Sequence, residues 1–182
     1  MNFPVTQSDT KQRTDQSDAK TSGQYLTFQL SQEMFAINIL RIKEILEYGG
    51  LSKVPMMPPF IRGVINLRGA VVPVIDLKVR FGGTVNQATK RSCIVIIEIT
   101  NEDRSHDIGI MVDSVSEVLE IPASEIEPPP SFGAHIRADF MAAMGKVDGE
   151  FVIILDVDSV LSTQELALVG DMPALNGSAD TE

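Results

Sequence analysis

The chain has 182 residues, a formal net charge of −10 and a single cysteine, Cys93. The acidity argues against nucleic-acid partners and against binding to anionic membrane surfaces, because both would repel it. One thiol cannot form an internal disulfide, and no apolar run is long enough to cross a bilayer. We therefore expect a cytoplasmic protein without direct membrane insertion.

The first half of the chain predicts a disordered tail followed by short strands. Residues 1–23 are polar and almost free of apolar side chains after Val5, which is typical of disorder. β-Branched and aromatic runs bounded by turn-forming residues then predict strands over 25–30, 34–37, 64–67 and 71–75. A helical turn leading into a further strand is predicted over 39–45. Residues 51–59 form a Pro-rich connection, and 59–61 a short helix.

The hairpin between strands 64–67 and 71–75 turns at Arg68-Gly69, where glycine supplies the backbone angles that a tight turn requires. Pro73 lies within the second strand. Since proline cannot donate to a sheet ladder, Pro73 predicts an edge strand or a bulge. Arg68 is interpreted either as a solvated turn residue or as a binding residue.

The second half repeats this order of elements. Strands are predicted over 93–99, 108–112, 115–121, 141–147 and 151–155. A polar turn occupies 100–107, a Pro-rich connector 122–130, and a terminal helix 164–169. Residues 171–182 predict a disordered C-terminal tail.

A weak internal repeat relates the two halves of the body, residues 24–83 and 84–170. Residues 60–81 align without a gap over 140–161, so that Gly69 meets Gly149 and Asp76 meets Asp156. Upstream, 33–47 aligns over 106–120, and Glu44 meets Glu117. Two copies are too few for a solenoid. The repeat and the many short strands indicate a mainly β fold of two barrels, each of about five strands.

The polar residues give no sign of catalysis. Asp76 and Asp156 resemble a carboxylate pair, but each ends a strand before a helical stretch, so we interpret both as N-caps. His106 and His135 have no partner at metal-ligand spacing. No nucleophile–base pair or phosphate-binding loop is recognisable. We expect a protein without enzymatic activity, metal or cofactor.

A specific motif then connects the chain to a known family. Asn66-Leu67-Arg68-Gly69 stands between Phe60-Ile61-Arg62-Gly63-Val64 and Val72-Pro73-Val74-Ile75-Asp76-Leu77. With 37–47, 109–119 and 128–132, this pattern resembles the CheW family of chemotaxis coupling proteins over residues 24–170. The resemblance implies two intertwined SH3-like five-stranded β-barrels with short helices and a C-terminal helix. It also implies a non-catalytic scaffold that couples methyl-accepting chemoreceptors to a CheA-type histidine kinase.

The same resemblance implies two binding surfaces. The receptor's cytoplasmic tip would contact the groove between the barrels, and the matching positions here are Ile42, Glu44, Gly63, Asn66, Arg68 and Val118. The regulatory domain of the kinase would contact the barrel ends, with Ile94 as the candidate. The protein would thereby join membrane receptor arrays through its partners.

Two alternatives remain at this point. One is a coupling module of a CheV-like protein, although the chain ends at Glu182 without the additional receiver domain that such a protein carries. The other is an SH3- or OB-like binding protein outside chemotaxis, which the acidity disfavours if its ligand is a nucleic acid.

Overall fold

A computed structural model describes residues 23–85, 87–101, 103–129, 138–161 and 165. The predicted tails, apart from Gly23, lie outside these residues, as does the predicted terminal helix apart from Glu165, which is helical. Eleven strands and one α-helix are present in the described part. The strands are β1 (Gly23–Leu30), β2 (Glu33–Asn38), β3 (Ile42–Glu47), β4 (Ile61–Leu67), β5 (Ala70–Asp76), β6 (Cys93–Asn101), β7 (Arg104–Val112), β8 (Ser114–Ile121), β9 (Ile126–Glu127), β10 (Met141–Val147) and β11 (Glu150–Leu155). The helix is α1 (Leu77–Arg80), and short 3-10 turns cover Ile39–Arg41, Ala123–Glu125, Ala138–Phe140 and Val157–Ser159.

The strands form two mixed sheets, and each sheet takes strands from both halves of the repeat. The first sheet has the order β3-β6-β7-β5-β4, and the second has the order β8-β1-β2-β11-β10-β9. The β1–β2 hairpin of the first half therefore pairs with β8 and β11 of the second half. The β6–β7 hairpin pairs with β3 and β5 of the first half. The halves exchange their first hairpins, which is what intertwines the two modules.

The repeat seen in the sequence is reproduced in the strand register. The parallel pair Val74↔Gly109 of the first sheet corresponds, position for position, to Ile154↔Ala36 of the second sheet. A register shift near the start of β4 recurs at the equivalent point of β10. The hairpin tips match as well, because Arg68 and Asp148 have φ angles of 52° and 50°. Weak sequence similarity thus marks a close structural pseudo-symmetry.

Three apolar clusters hold the sheets together. One fills the interior of the first barrel, which is the barrel that the first sheet forms: Ile65, Val72, Val74, Ile94, Ile96 and Met111. A second fills the interior of the second barrel, which the second sheet forms: Tyr25, Ala36, Ile121, Ala143, Val152 and Ile154. The third is a larger core shared by both sheets, including Phe28, Ile75, Ile97 and Leu155. Because successive side chains of a strand point to opposite faces, β6 supplies alternate residues to the first interior and to the shared core. This explains its unbroken apolar run.

Pro73 does not lie on an edge strand, so that part of the prediction was wrong, whereas the alternative, a bulge, is found nearby as a register shift of the β4–β5 pair between Ile61 and Gly63. β5 is paired with β4 on one side and with β7 on the other. Val64, the residue opposite Pro73, exchanges both of its backbone hydrogen bonds with Ser52, at 2.9 and 2.8 Å. The hydrogen-bond ladder between β4 and β5 therefore needs no N–H group at position 73. On the other side of β5, pairing with β7 begins only at Val74. The proline is therefore tolerated inside the sheet.

Two other local predictions need correction. Residues 59 and 60 form a turn and Ile61 already belongs to β4, so there is no helix at 59–61. The predicted polar turn over 100–107 is much shorter, because β6 continues to Asn101 and β7 begins at Arg104. Polar side chains on these strand ends gave the sequence the composition of a loop.

The predicted capping role of the repeated aspartates is confirmed. Asp76 precedes α1, and its Oδ1 accepts hydrogen bonds from the backbone N–H groups of Lys78 and Val79 at 3.1 and 3.4 Å. Its other carboxylate oxygen lies 3.4 Å from Nη1 of Arg62. Asp156 caps the following 3-10 turn in the same way, accepting from the N–H of Asp158 at 3.2 Å. The capped turns lead the chain from each second hairpin back to the shared core.

We expect Asp76→Ala to lower the free energy of unfolding by about 2–3 kcal/mol, because it removes a cap and leaves Arg62 without this carboxylate. Asp156→Ala, the pseudo-symmetric control, should cost only about 1 kcal/mol. Urea unfolding followed by circular dichroism measures both. Equal losses in the two variants would contradict the structural role assigned to the Asp76–Arg62 contact.

Candidate functional site

The hairpin tip between β4 and β5 holds the exposed cation that the sequence singled out. Arg68 and Gly69 both adopt left-handed backbone conformations, with φ angles of 52° and 85°. The side-chain oxygen of Asn66 accepts a hydrogen bond of 3.0 Å from the N–H of Gly69, which closes the turn. Asn66 therefore fixes the tip from which Arg68 projects.

Glu44 on β3 is the acidic neighbour of this tip. Nη2 of Arg68 lies 3.3 Å from Oε2 of Glu44, although the geometry is not that of a hydrogen bond. The arginine side chain is 80% exposed and that of the glutamate 29%. An ion pair this open to solvent contributes only about 0–1 kcal/mol to stability. The arrangement leaves a guanidinium group with most of its donors free, next to a partly shielded carboxylate.

β3 carries alternating half-buried and exposed side chains beside this pair. Ile42 is half-buried and packs against the shared core. Lys43 points outward and contacts Glu98 and Asp107, with Nζ to oxygen distances of 3.1 and 2.8 Å. Both contacts raise the pKa of Lys43, the one with Asp107 more than the one with Glu98. The hydrogen bond from Lys43 in turn lowers the pKa of Glu98. β3 thus carries an ion-paired lysine directly before Glu44 in the sequence.

Gly63 is buried and acts through its lack of a side chain. A Cβ atom placed there would lie 2.6 Å from the carbonyl oxygen of Ser52. Ser52 bonds to Val64, so the connection between β3 and β4 lies directly against β4 at this point. Gly63 therefore allows the close approach that shapes the neighbourhood of the tip.

Val118 lies on β8, an edge strand of the second sheet, away from the strands that carry the tip. Its side chain is 46% exposed. The repeat places Ile45 of β3 at the equivalent position, and Ile45 is 44% exposed. Sequence reasoning missed Ile45, although the offset of 73 residues between Glu44 and Glu117 pointed to it. Each barrel thus exposes one aliphatic residue next to the repeated glutamate.

Ile94 cannot contact a partner directly in this structure, which corrects its expected role as a contact residue. Its side chain is 1% exposed and lies in the interior of the first sheet. It pairs with Met111 of β7 and Leu46 of β3. A substitution at Ile94 would act through the packing of the barrel.

Within the described ranges no three His, Cys, Asp or Glu residues are grouped so that they could hold a metal ion. The described residues also include no helix that is long and apolar enough to span a membrane. Of the predicted receptor-binding residues, Glu44 and Arg68 lie side by side and Asn66 closes the same turn. Ile42 packs against the shared core, Gly63 lies against Ser52, and Val118 stands on the other sheet.

Comparisons with known proteins agree with this picture. Residues 24–165 match the model of the CheW-like domain family. The chemotaxis protein CheW of Klebsiella aerogenes is 33% identical over 154 residues, which cover 84% of this chain and 90% of that protein. The chemotaxis protein CheW of Bacillus subtilis is 31% identical over 149 residues, 81% of this chain and 92% of that protein.

A solved structure is also similar to this chain. The crystal structure of the scaffolding protein TtCheW from Thermoanaerobacter tengcongensis matches with a TM-score of 0.71 and 34% sequence identity. The match covers 80% of this chain and 91% of that one. The similarity therefore extends over most of both chains.

We expect Gly63→Ala to lower the free energy of unfolding by about 1–3 kcal/mol, because the new methyl group overlaps the Ser52 carbonyl. Gly145→Ala is the control in β10, since its Cβ would meet side-chain atoms alone, those of Ile121 at 3.2 and 3.5 Å and of Ile154 at 3.6 Å. Gly145→Ala should lower the free energy of unfolding by less than about 1 kcal/mol. Denaturant unfolding measures the loss of stability in both variants. If Gly63→Ala is as stable as the wild type, the carbonyl of Ser52 does not pack tightly against position 63.

The pKa of Glu98 provides a second test. In the folded protein its carboxyl group should titrate below the ordinary value of 4.5, because Lys43 stabilises the charged form. A lowered folded pKa means that the pair stabilises the fold above the unfolded pKa and loses this effect as the pH falls through the folded value. Lys43→Met should return the pKa towards 4.5, as measured by NMR titration of the side-chain carboxyl. Lys146→Met, which removes an exposed lysine from the other sheet, should leave it unchanged.

Proposed function

The chain belongs to the CheW family of chemotaxis coupling proteins, and we infer that it is a non-catalytic scaffold linking chemoreceptors to a CheA-type histidine kinase. The family match over residues 24–165 and the similarity to a scaffolding protein support this function. The same comparisons favour neither a CheV-like module nor a binding protein outside chemotaxis. A scaffold of this kind needs two partner surfaces, and the proposals below assign them.

We place the receptor contact at the Glu44–Arg68 pair, and the exposure of Arg68 carries this assignment. An arginine that is 80% exposed on a tip fixed by Asn66 can form a forked bond with a carboxylate at little conformational cost. Its loose contact with Glu44 is easily exchanged for a partner's oxygen. The ligand at this point would be the cytoplasmic tip of a methyl-accepting receptor.

The aliphatic residues beside the pair would supply the apolar part of that contact. Ile42 is half-buried, and Ile45 and Val118 are exposed on the edge strands of the two sheets. A receptor tip is helical in this family, so its apolar face would dock between the barrels in a helix-in-groove mode. Most of the affinity would come from these contacts, and Arg68 would contribute orientation and specificity.

The kinase contact is proposed at a barrel end, against the regulatory domain. Ile94 lies near the start of β6, inside the first barrel. Its part in kinase binding would be to support the shape of that end. Overpacking at Ile94 would then weaken kinase binding together with the stability of the barrel.

We expect Arg68→Glu to leave the fold intact and to weaken binding of a receptor cytoplasmic fragment by about tenfold or more, because it replaces a donor with a charge that repels Glu44. Isothermal titration calorimetry measures the affinity, and circular dichroism confirms folding. Arg104→Glu provides the control, since Arg104 is an exposed arginine at the tip of the β6–β7 hairpin. Unchanged receptor binding by Arg68→Glu would remove this site assignment, whereas equal weakening by both variants would indicate a general charge effect.

A further inference from the structure

The two barrels differ at one pair of equivalent positions beside the capping aspartates. Arg62 of β4 corresponds in the repeat to Ala142 of β10, and each stands at the register shift of its hairpin. The aspartate caps, Asp76 and Asp156, are equivalent as well. The backbone therefore follows one plan in both places, and the side chain that stands next to the aspartate is a guanidinium group in the first half and a methyl group in the second.

In the first barrel the arginine fills the space next to its aspartate. Nη1 of Arg62 lies 3.4 Å from Oδ2 of Asp76, and Nε donates a hydrogen bond of 3.2 Å to the hydroxyl oxygen of Tyr48. The guanidinium carbon lies 5.9 Å from the ring centre of Tyr48, which is within the range of a cation–π contact. The fold thus shows how a guanidinium group is held at this place, by one carboxylate and one tyrosine.

In the second barrel the corresponding place is a pocket of about 100 Å³. Ala142 and Asp156 form part of its wall, and Tyr25 of β1 lies in the wall with them. The short side chain of Ala142 leaves the room that Arg62 fills in the first barrel. Tyr25 is not the repeat counterpart of Tyr48, so a different strand brings the tyrosine to an otherwise equivalent site.

The charges around the pocket favour a cation. Its ionised lining residues are Arg41, Asp156 and Asp158, which leaves an excess of one negative charge. Arg41 pairs with Asp158. The carboxylate of Asp156 accepts hydrogen bonds from the hydroxyl of Ser159 at 2.9 Å and from the N–H of Asp158 at 3.2 Å. A carboxylate has about four acceptor sites, so Asp156 can accept further donors.

The charge of the surrounding half acts in the same direction. Residues 84–170 contain 15 acidic and 5 basic side chains, and a surface field of this sign attracts cations. One feature favours the opposite ligand, because Nε of Arg41 is buried without an acceptor. A carboxylate is therefore the competing occupant of the pocket, and the test below includes one.

We propose that this pocket binds the arginine side chain of a protein partner, with the guanidinium group bonded to Asp156 and lying beside Tyr25. The space corresponds to that of one side chain, which favours an arginine carried by a protein over a free amino acid. A planar guanidinium group also forms forked bonds to a carboxylate and stacks on aromatic rings, which an ammonium group does less well. The site is an addition to the surfaces proposed above and does not rest on the proposed function.

The test is an NMR titration of the full, isotopically labelled chain with blocked arginine, N-acetyl-arginine N-methylamide. We expect saturable shift changes centred on the amides of Tyr25, Ala142 and Val157, with a dissociation constant of about 1–10 mM. Blocked citrulline has the same shape without the charge, and blocked aspartate is the competing anion. Both should bind at least about tenfold more weakly than blocked arginine.

Two variants test the pocket itself. Asp156→Asn keeps the cap, because asparagine caps helices as well as aspartate does, but it should weaken binding of blocked arginine by about tenfold. Asp148→Asn makes the same charge change on the exposed turn of the β10–β11 hairpin and should stay within about twofold of the wild type. Ala142→Arg supplies the side chain from within the chain, so it should abolish binding and raise the melting temperature by about 1–3 °C.

Each other result overturns the proposal. Absence of saturable binding to the wild type, tighter binding of blocked aspartate, or unchanged binding by Asp156→Asn would remove the guanidinium site. Should Ala142→Arg not fold, Asp156→Asn decides alone. Free arginine is titrated in parallel, and if it binds at least about tenfold more tightly than blocked arginine, the occupant is an amino acid and the assignment to a protein partner is wrong.

Discussion

The exchange of hairpins between the two halves is the constraint on which the rest of the structure depends. Because β1–β2 and β6–β7 each pair with strands of the other half, neither half can close its sheet alone. The exchanged strands therefore have one face in a barrel interior and the other in the shared core. Burial of this kind scales with apolar area, at about 25 cal/mol per Å², and outweighs the surface ion pairs.

The exchange also decides where a partner can bind. The exchanged hairpins occupy inner positions of the sheets, and this leaves β3 and β4 at the two edges of the first sheet and β8 at an edge of the second. Edge strands keep unpaired backbone groups and exposed side chains, which proteins normally protect with charge. Here β3 carries Lys43 and Glu44, and the β4–β5 tip places Arg68 beside Glu44. The charged residues of the candidate site, Glu44 and Arg68, thus lie on an edge strand and a hairpin tip, outside the apolar clusters.

Differences between the halves are as informative as their similarities. The backbone of the Arg68 tip is repeated at Asp148, so the fold does not require arginine there. Arg80 has a valine as its counterpart, and its contacts reach the second half from the first. Where equivalent positions of the two halves carry similar residues, those residues serve the fold that both halves have in common. Positions at which a polar residue has no counterpart are free to serve partners or to link the barrels.

The sequence by itself determined the mainly β class, the two-module plan, the capping aspartates and the Arg68 turn, because each depends on local chemistry or on residues repeated at a constant spacing. Through a family motif it also assigned Glu44, Asn66 and Arg68 to one predicted site, and the structure places Arg68 beside Glu44 on a turn closed by Asn66. Only the tertiary structure decided that the halves exchange hairpins, that Pro73 is tolerated between two paired strands, and that Ile94 points inward. These depend on which strands pair and on which face of a strand meets which core. A run such as Cys93-Ile94-Val95-Ile96-Ile97 looks the same whether one face or both are buried, so strand pairing had to be known before exposure could be assigned.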